Sequence, residues 1–386
     1  MAVTIPFVCN VGAAKAAEDA PMLFPVTVDK VIGFIDASGQ IVVPPAFQQI
    51  RQFSEGLAAV QSIDSGLWGY LNQEGQMVIA PQFISAFFFQ EGLAAVQLQE
   101  KQSYGFIDKA GRWVIPPGKY TWAGVVPRFY MGRARIFEQN SAGEKTLSYI
   151  DKTGAVVLRT PFEQTWDVYG DRIPFLTKGK VGFMSRDGQI IIEARFERYA
   201  YPWTEIFSDA IAPVALKKVD NTGNWGFIDK SGHTVLDFQY SWAEPFSEGL
   251  AIVSDNYQSG FVDPTGRIVV PLQFDEVFGF HEGLAAVKLN GLWGFIDTSG
   301  NMAIPPQFAH RRFGPPVEFH EGLAVIAVNT QFSGVREGVI DRTGKIVVAP
   351  IFSRIDDFSG GLAEVWIGGK KGYVNKQGEY VWMPSQ

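Results

Sequence analysis

One short phrase organises the whole chain: a glycine, an aromatic residue, an aliphatic residue, Asp or Asn, two variable residues and a glycine. It appears as GFIDASG from residue 33, GYLNQEG from 69, GFIDKAG from 105, SYIDKTG from 148, GFMSRDG from 182 and GFIDKSG from 226. It returns as GFVDPTG from 260, GFIDTSG from 294, GVIDRTG from 338 and GYVNKQG from 372, which makes ten units. The basic period is 34 residues, lengthened in some units by two, nine or ten. A period of this size points to stacked supersecondary units, each too small to bury its own apolar face.

Each unit contains three short runs. The first, EGLAAV at 55, 91 and 282, is small and apolar and reads as strand A. The second, such as WGFID at 293–297, is aromatic and β-branched and reads as strand B. The third, such as IVVPP at 41, ends on prolines that cannot donate to a ladder and reads as strand C. Helical periodicity is absent, and glycine and proline interrupt the chain too often for ordinary helices. Gly 41 of 386 fits a chain rich in demanding turns. Apolar residues occupy consecutive positions in all three runs, so both faces of each small sheet are expected to be covered by neighbours. The predicted fold is all-β: ten antiparallel units stacked face to face as a propeller-like ring, with an open solenoid as the alternative. The connector after strand C, such as QFDEVFGF from 273, has room for a short fourth strand. Residues 1–24 form a partly irregular N-terminal segment, and residues 25–386 a single repeat domain.

The recurrent Asp36, Asp108, Asp151, Asp229, Asp263, Asp297 and Asp341, with Asn72 and Asn375, are expected to form hairpin turns. Their side chains can accept backbone N–H bonds while the glycine supplies a positive φ. One acid per unit, without a second at ligand spacing, does not make a calcium loop. Glu55, Glu91, Glu248, Glu282 and Glu321 recur just before strand A. A hydrogen bond to neighbouring backbone suits them better than a catalytic ring, because copies of one residue are spread along an arc. His281 and His320 stand where other units carry Ser54 and Ser247, and no second histidine follows to complete a zinc motif. Neither a serine-hydrolase elbow nor a phosphate-binding loop is present, and Cys9 is alone. No catalytic residue, cofactor or metal is expected.

The phrase resembles that of the WG-repeat family of bacterial proteins, named for a Trp-Gly pair that opens strand B, over about residues 26–384. Trp68, Trp225 and Trp293 keep the tryptophan; Ile32, Tyr104, Leu147, Val181, Ser259, Glu337 and Lys371 replace it, and Ser148 replaces the glycine. The resemblance implies a β-repeat fold and non-catalytic interaction or cell-surface roles.

Where the phrase is broken, aromatics gather: KYTWAG from 119, EQTWDVYG from 163, RYAYPWTE from 198 and QYSWAE from 239. With Tyr120 and Tyr240 aligned to Phe47, Trp122 and Trp242 fall where other units carry Gln49, Ser85, Glu276 or Arg354. Polar positions of that kind face solvent, and a tryptophan there suits an interface. Trp122, Trp166, Tyr201, Trp203 and Trp242 are therefore the expected recognition surface, with packing beneath the insertions as the plain alternative. The expected function is a non-enzymatic scaffold for a protein or peptide partner. A carbohydrate or cell-envelope binder is the alternative, and a glycan-active enzyme comes third. A net charge of −7 supplies no phosphate-binding surface, so nucleic acid is not an expected partner. No apolar run is long enough to span a membrane as a helix. A cytoplasmic location is expected, with export as the alternative, since AVTIPFVCNVGAA at 2–14 lacks a preceding basic residue.

Overall fold

A computed structural model describes residues 22–98, 103–123, 127–139, 141–198, 207, 210–217, 223–311, 318–331 and 334–385. Every regular element among them is a β-strand. Strands A, B and C form an antiparallel meander in each unit, as in Leu284–Leu289, Leu292–Asp297 and Met302–Phe308. The connector does supply a fourth strand, only two residues long, which pairs with strand A: Ser85–Ala86, Thr121–Trp122, Gln164–Thr165, Trp242–Ala243, Glu276–Val277 and Arg354–Ile355.

These strands make nine hydrogen-bonded sheets, so the molecule is a nine-bladed propeller when blades are counted by continuous bonding. The first sheet is double. Its strand Ile41–Ile50 serves as strand C of unit 1 and then, at Gln49 and Ile50, as the short strand of unit 2. Ten sequence units thus occupy nine sheets.

The stacking of units is the same around the ring. The turn glycine of each unit sits against strand C of the unit before: Gly75 on Val43, Gly111 on Ile79, Gly300 on Val270, Gly378 on Val348. Gly39 of unit 1 makes this contact with Val381 of unit 10, where an added Cβ would lie 2.4 Å from the Val381 carbonyl oxygen. A core of Phe24, Val26 and Ile35 against Leu362 and Tyr373 fills the same junction. The Tyr373 hydroxyl donates to the Pro25 carbonyl at 2.9 Å. The ring is closed.

Strands A and B are buried at consecutive positions, as expected of sheets covered on both faces. Strand C differs: Ile41, Met77, Ile268 and Ile346 are exposed by 41–52%, because this strand is the rim of its sheet. At the opposite edge the short strands of successive units touch. Arg51 Nε donates to the Ala86 carbonyl at 2.6 Å, and Arg311 Nη2 to that of Ile355 at 2.7 Å. The short strands thus form the edge of their sheets opposite the exposed strand C, here termed the inner edge.

Candidate interaction surface

Most of the repeated polar residues are spent on the frame. Asp263 Oδ1 accepts the N–H groups of Thr265 at 3.0 Å and Arg267 at 3.1 Å, two and four residues on, while Gly266 takes φ 86°. Asp36, Asp108, Asp151, Asp229, Asp297 and Asp341 bond in the same way. The Thr265 hydroxyl leads the bonds that, against some burial, hold the Asp263 carboxyl down at about 2.

The recurrent glutamates link neighbouring units. Glu55 accepts the N–H of Gly92 at 2.9 Å, Glu91 that of Gly132 at 2.7 Å, Glu248 that of Gly283 at 2.8 Å and Glu282 that of Gly322 at 3.0 Å. Each of these glutamates has φ near 50°, a left-handed conformation that turns its side chain toward the next unit. A basic residue from the next hairpin pairs with several of them: Lys109 with Glu55, Lys152 with Glu91, Lys376 with Glu321. The residue before the glutamate makes a second link. Ser54 Oγ donates to the Phe89 carbonyl at 2.6 Å, and the His281 ring nitrogen Nδ1 lies 2.6 Å from that of Phe319. The His281 and His320 rings lie 4.5 Å apart, tilted by 50°. These carboxylates point along the ring from unit to unit rather than converging in pairs.

The glycine opening strand B has a steric cause. Strand C bulges opposite it, so a Cβ on Gly69 would lie 2.5 Å from the Ile79 carbonyl oxygen and 2.8 Å from Pro81 N. Unit 4 has a shorter strand C, Val156–Arg159, and Ser148 pairs directly with Arg159 there. That leaves room for a side chain, and Ser148 Oγ donates to Glu138 Oε2 at 2.7 Å.

A family model of the WG containing repeat matches residues 32–63, 68–101, 104–136, 182–205, 225–257, 260–293, 293–310 and 338–370, more than half of the chain. The chain belongs to the WG-repeat family. The stretch 137–181 without a match holds the unit in which Ser148 replaces glycine. No curated protein matches the WG-repeat chain in sequence. Among solved structures, a eukaryotic initiation factor shares 12% identity over 94% of this chain and 95% of that one, with a TM-score of 0.52, a likeness of fold. The computationally designed Ika8 protein matches at TM-score 0.37 and 12% identity, over 78% of this chain and 95% of that one. Kluyveromyces lactis Hsv2 matches at 0.34 and 10%, over 75% and 98%.

Within this WG-repeat ring the three described tryptophans singled out by sequence all lie on the inner edge. Trp242 pairs with Ser254, the place of Ser85 and Glu276 in their units. Its indole is half-buried, 4.8 Å from Trp225, and its N–H donates to Glu244 at 3.1 Å. Burial pushes the Glu244 carboxyl up, against the pull of that N–H. Trp122 does not share the position of Trp242. It pairs with Ile136, and so stands where Ile50, Ala86, Ala243 and Ile355 point into the core. Its ring packs 5.0 Å from Phe106 and its N–H bonds the Tyr104 carbonyl at 3.0 Å. The alignment of Tyr120 with Phe47 is one residue out, because strand C of that unit runs into PPGKY. Trp166 follows its short strand directly, half-buried on the core of Leu176, Val181 and Phe196. Tyr201 and Trp203 lie outside the described residues.

The place of Trp166 is informative. In seven units, among the described residues, this residue's N–H bonds a strand A carbonyl, yet its identity changes: Arg51, Phe87, Ala123, Trp166, Glu244, Phe278 and Asp356. Arg51 lies 4.4 Å from the centre of the Phe87 ring and 5.1 Å from that of Trp68. Arg354, two residues before Asp356, lies over Trp366 at 4.4 Å and bonds Asp356. A repeated frame thus presents one unit-specific, half-buried side chain after another along the inner edge. Sequence reasoning missed this series, because its members share a backbone role rather than a residue type. Among the described residues no group of His, Cys, Asp or Glu is arranged to hold a metal ion, and no helix is long and apolar enough to cross a membrane.

Proposed function

We propose that the ring is a non-enzymatic scaffold that holds a protein or peptide partner along its inner edge, with Trp166 and Trp242 as aromatic anchors and Trp122 supporting them from the core. The observation that carries this is the contrast between an unchanging frame and the changing series Arg51, Phe87, Trp166, Glu244, Phe278 and Asp356. Repeat architectures bind in this way, one frame offering a row of independently varied side chains. The repeated glutamates bond neighbouring backbone, which supports a frame role rather than acid catalysis. A location in the cytoplasm goes with a peptide partner; processing of the amino terminus, read by mass spectrometry of the native protein, would argue for the cell envelope instead.

The test is direct binding to a peptide array and a glycan array by wild type, Trp166→Ala and Trp242→Ala. Peptide ligands that lose about tenfold or more in affinity in either variant are the expected result, the size of a central aromatic contact. Ligands confined to the glycan array, with the same dependence, would move the reading to sugar stacking. Affinities unchanged by both substitutions would overturn it.

A further inference from the structure

Where strands A and B are joined by two residues, both turn residues have positive φ, as at Asn290 and Gly291 (52° and 79°), Lys178 and Gly179 (50° and 73°) and Gly368 and Gly369 (58° and 79°). Glycine fills the second place in these turns because a bulky side chain there strains the backbone. Unit 1 puts Lys30 in that place, at φ 69°, and unit 7 the aromatic Tyr257, at φ 63°. The Tyr257 side chain stands 97% exposed, so burial within the ring returns nothing for the strain. Strained, exposed aromatic residues point to a role outside the fold.

The surroundings give that role a chemistry. Trp242 lies on the same end of the unit, paired with Ser254, three residues before Tyr257. Asp255 closes the turn with Gln258. Asp275 and Glu276, both exposed, lead into the inner strand of unit 8 at this end, and Lys288 pairs with Glu276 at 3.3 Å. Among these residues, carboxylates outnumber cations beside a free aromatic ring. Guanidinium and ammonium groups gain from both partners at once, over the ring face and at the carboxylates.

We propose that Tyr257, with Trp242 and the carboxylates of Asp255, Asp275 and Glu276, forms a docking surface for a cationic, arginine- or lysine-bearing peptide segment. This rests on the reading of the ring as a peptide-binding scaffold and names its partner class. Tyr257 is the outer anchor, and the hairpin tip carries it clear of the ring so that a side chain can lie across it.

A random-peptide display library selected on the full chain, followed by fluorescence anisotropy of synthetic copies of the enriched peptides, tests this. The enriched peptides carry Arg or Lys, bind Tyr257→Gly about fivefold or more weakly, and weaken similarly with Asp275→Asn/Glu276→Gln. Tyr257→Gly melts no lower than wild type, since glycine relieves the turn, so lost binding is not lost folding. Neutral or acidic peptides that still depend on Trp166 would overturn the cationic surface and leave the scaffold reading standing. Equal affinity of basic peptides for wild type and Tyr257→Gly would also overturn it. No enrichment at all would remove both readings.

Discussion

Glu321 reaches out of its own unit to accept the backbone N–H of Gly360, 2.7 Å away in the next, and takes a second bond from Gly361 at 3.1 Å. Lys376 Nζ lies 2.9 Å from the same carboxylate. Burial alone would raise this carboxyl; the bonds from Lys376 and Gly360 outweigh it and bring it below the usual range. The strain of a left-handed glutamate is thereby turned into a link between units.

Removing that link should loosen the ring. Glu321→Ala is expected to cost about 2 kcal/mol, the scale of a hydrogen bond to a charged group. Urea denaturation measures it, and a midpoint equal to wild type would show that the link contributes nothing.

The bulge makes an opposite pair of predictions at one repeat position. Gly69→Ala drives a Cβ into the Ile79 carbonyl, 2.5 Å away, and should cost more than about 2 kcal/mol. Ser148→Ala, in the unit without that bulge, should cost only about 1 kcal/mol, the value of its bond to Glu138. Equal losses in thermal or urea unfolding would contradict the bulge as the cause of the glycine.

Unit 9 places Glu337 where Trp293 stands in unit 8, and buries it with Arg311, the side chains 1% and 4% exposed. Glu337 Oε2 also accepts the N–H of Ile355 at 2.9 Å, which ties the pair to unit 10. Glu337→Gln takes from the buried guanidinium the carboxylate bonded to it and should cost about 3–5 kcal/mol. Arg311→Met/Glu337→Leu should recover most of that loss, as followed by urea denaturation; a double variant as unstable as the single one would reject the charge argument.

Acid should weaken the hairpins. All seven turn aspartates titrate below their ordinary value, Asp263 at about 2. A carboxyl depressed on folding stabilises above the unfolded value, roughly 3.9, and loses that contribution as pH falls through the folded value. Stability should therefore decline between about pH 4 and 2. Asn72 and Asn375 make the same turn bond without titrating, so Asp263→Asn should flatten part of the decline in a melting series across that window.

The frame was legible in sequence because it is local chemistry. Asp263 to Gly266 closes a turn with atoms a few residues apart, and the apolar run from Leu284 to Val287 can be satisfied only between two other layers. Strand types, the unit count and the hairpin residues follow from such short-range demands. The inner edge was harder to read. Trp122 and Trp242 look equivalent in their sequence phrases, but the bulge in strand C decides how many residues are spent before the short strand, and that shifts Trp122 into the core. Tyr257 carried its own signal, an aromatic residue in a place where three related hairpins use glycine, but only backbone geometry and exposure give it weight.

Closure belongs to the tertiary structure alone. Each junction turns the stack by a small angle fixed by side-chain packing, and no stretch of thirty-odd residues records where the sum of those angles will bring the last unit. Tyr373 and Pro25, 348 residues apart, meet because the accumulated rotation returns unit 10 to unit 1. What the sequence determines is a unit that must be stacked; the ring follows from the angle at which units stack.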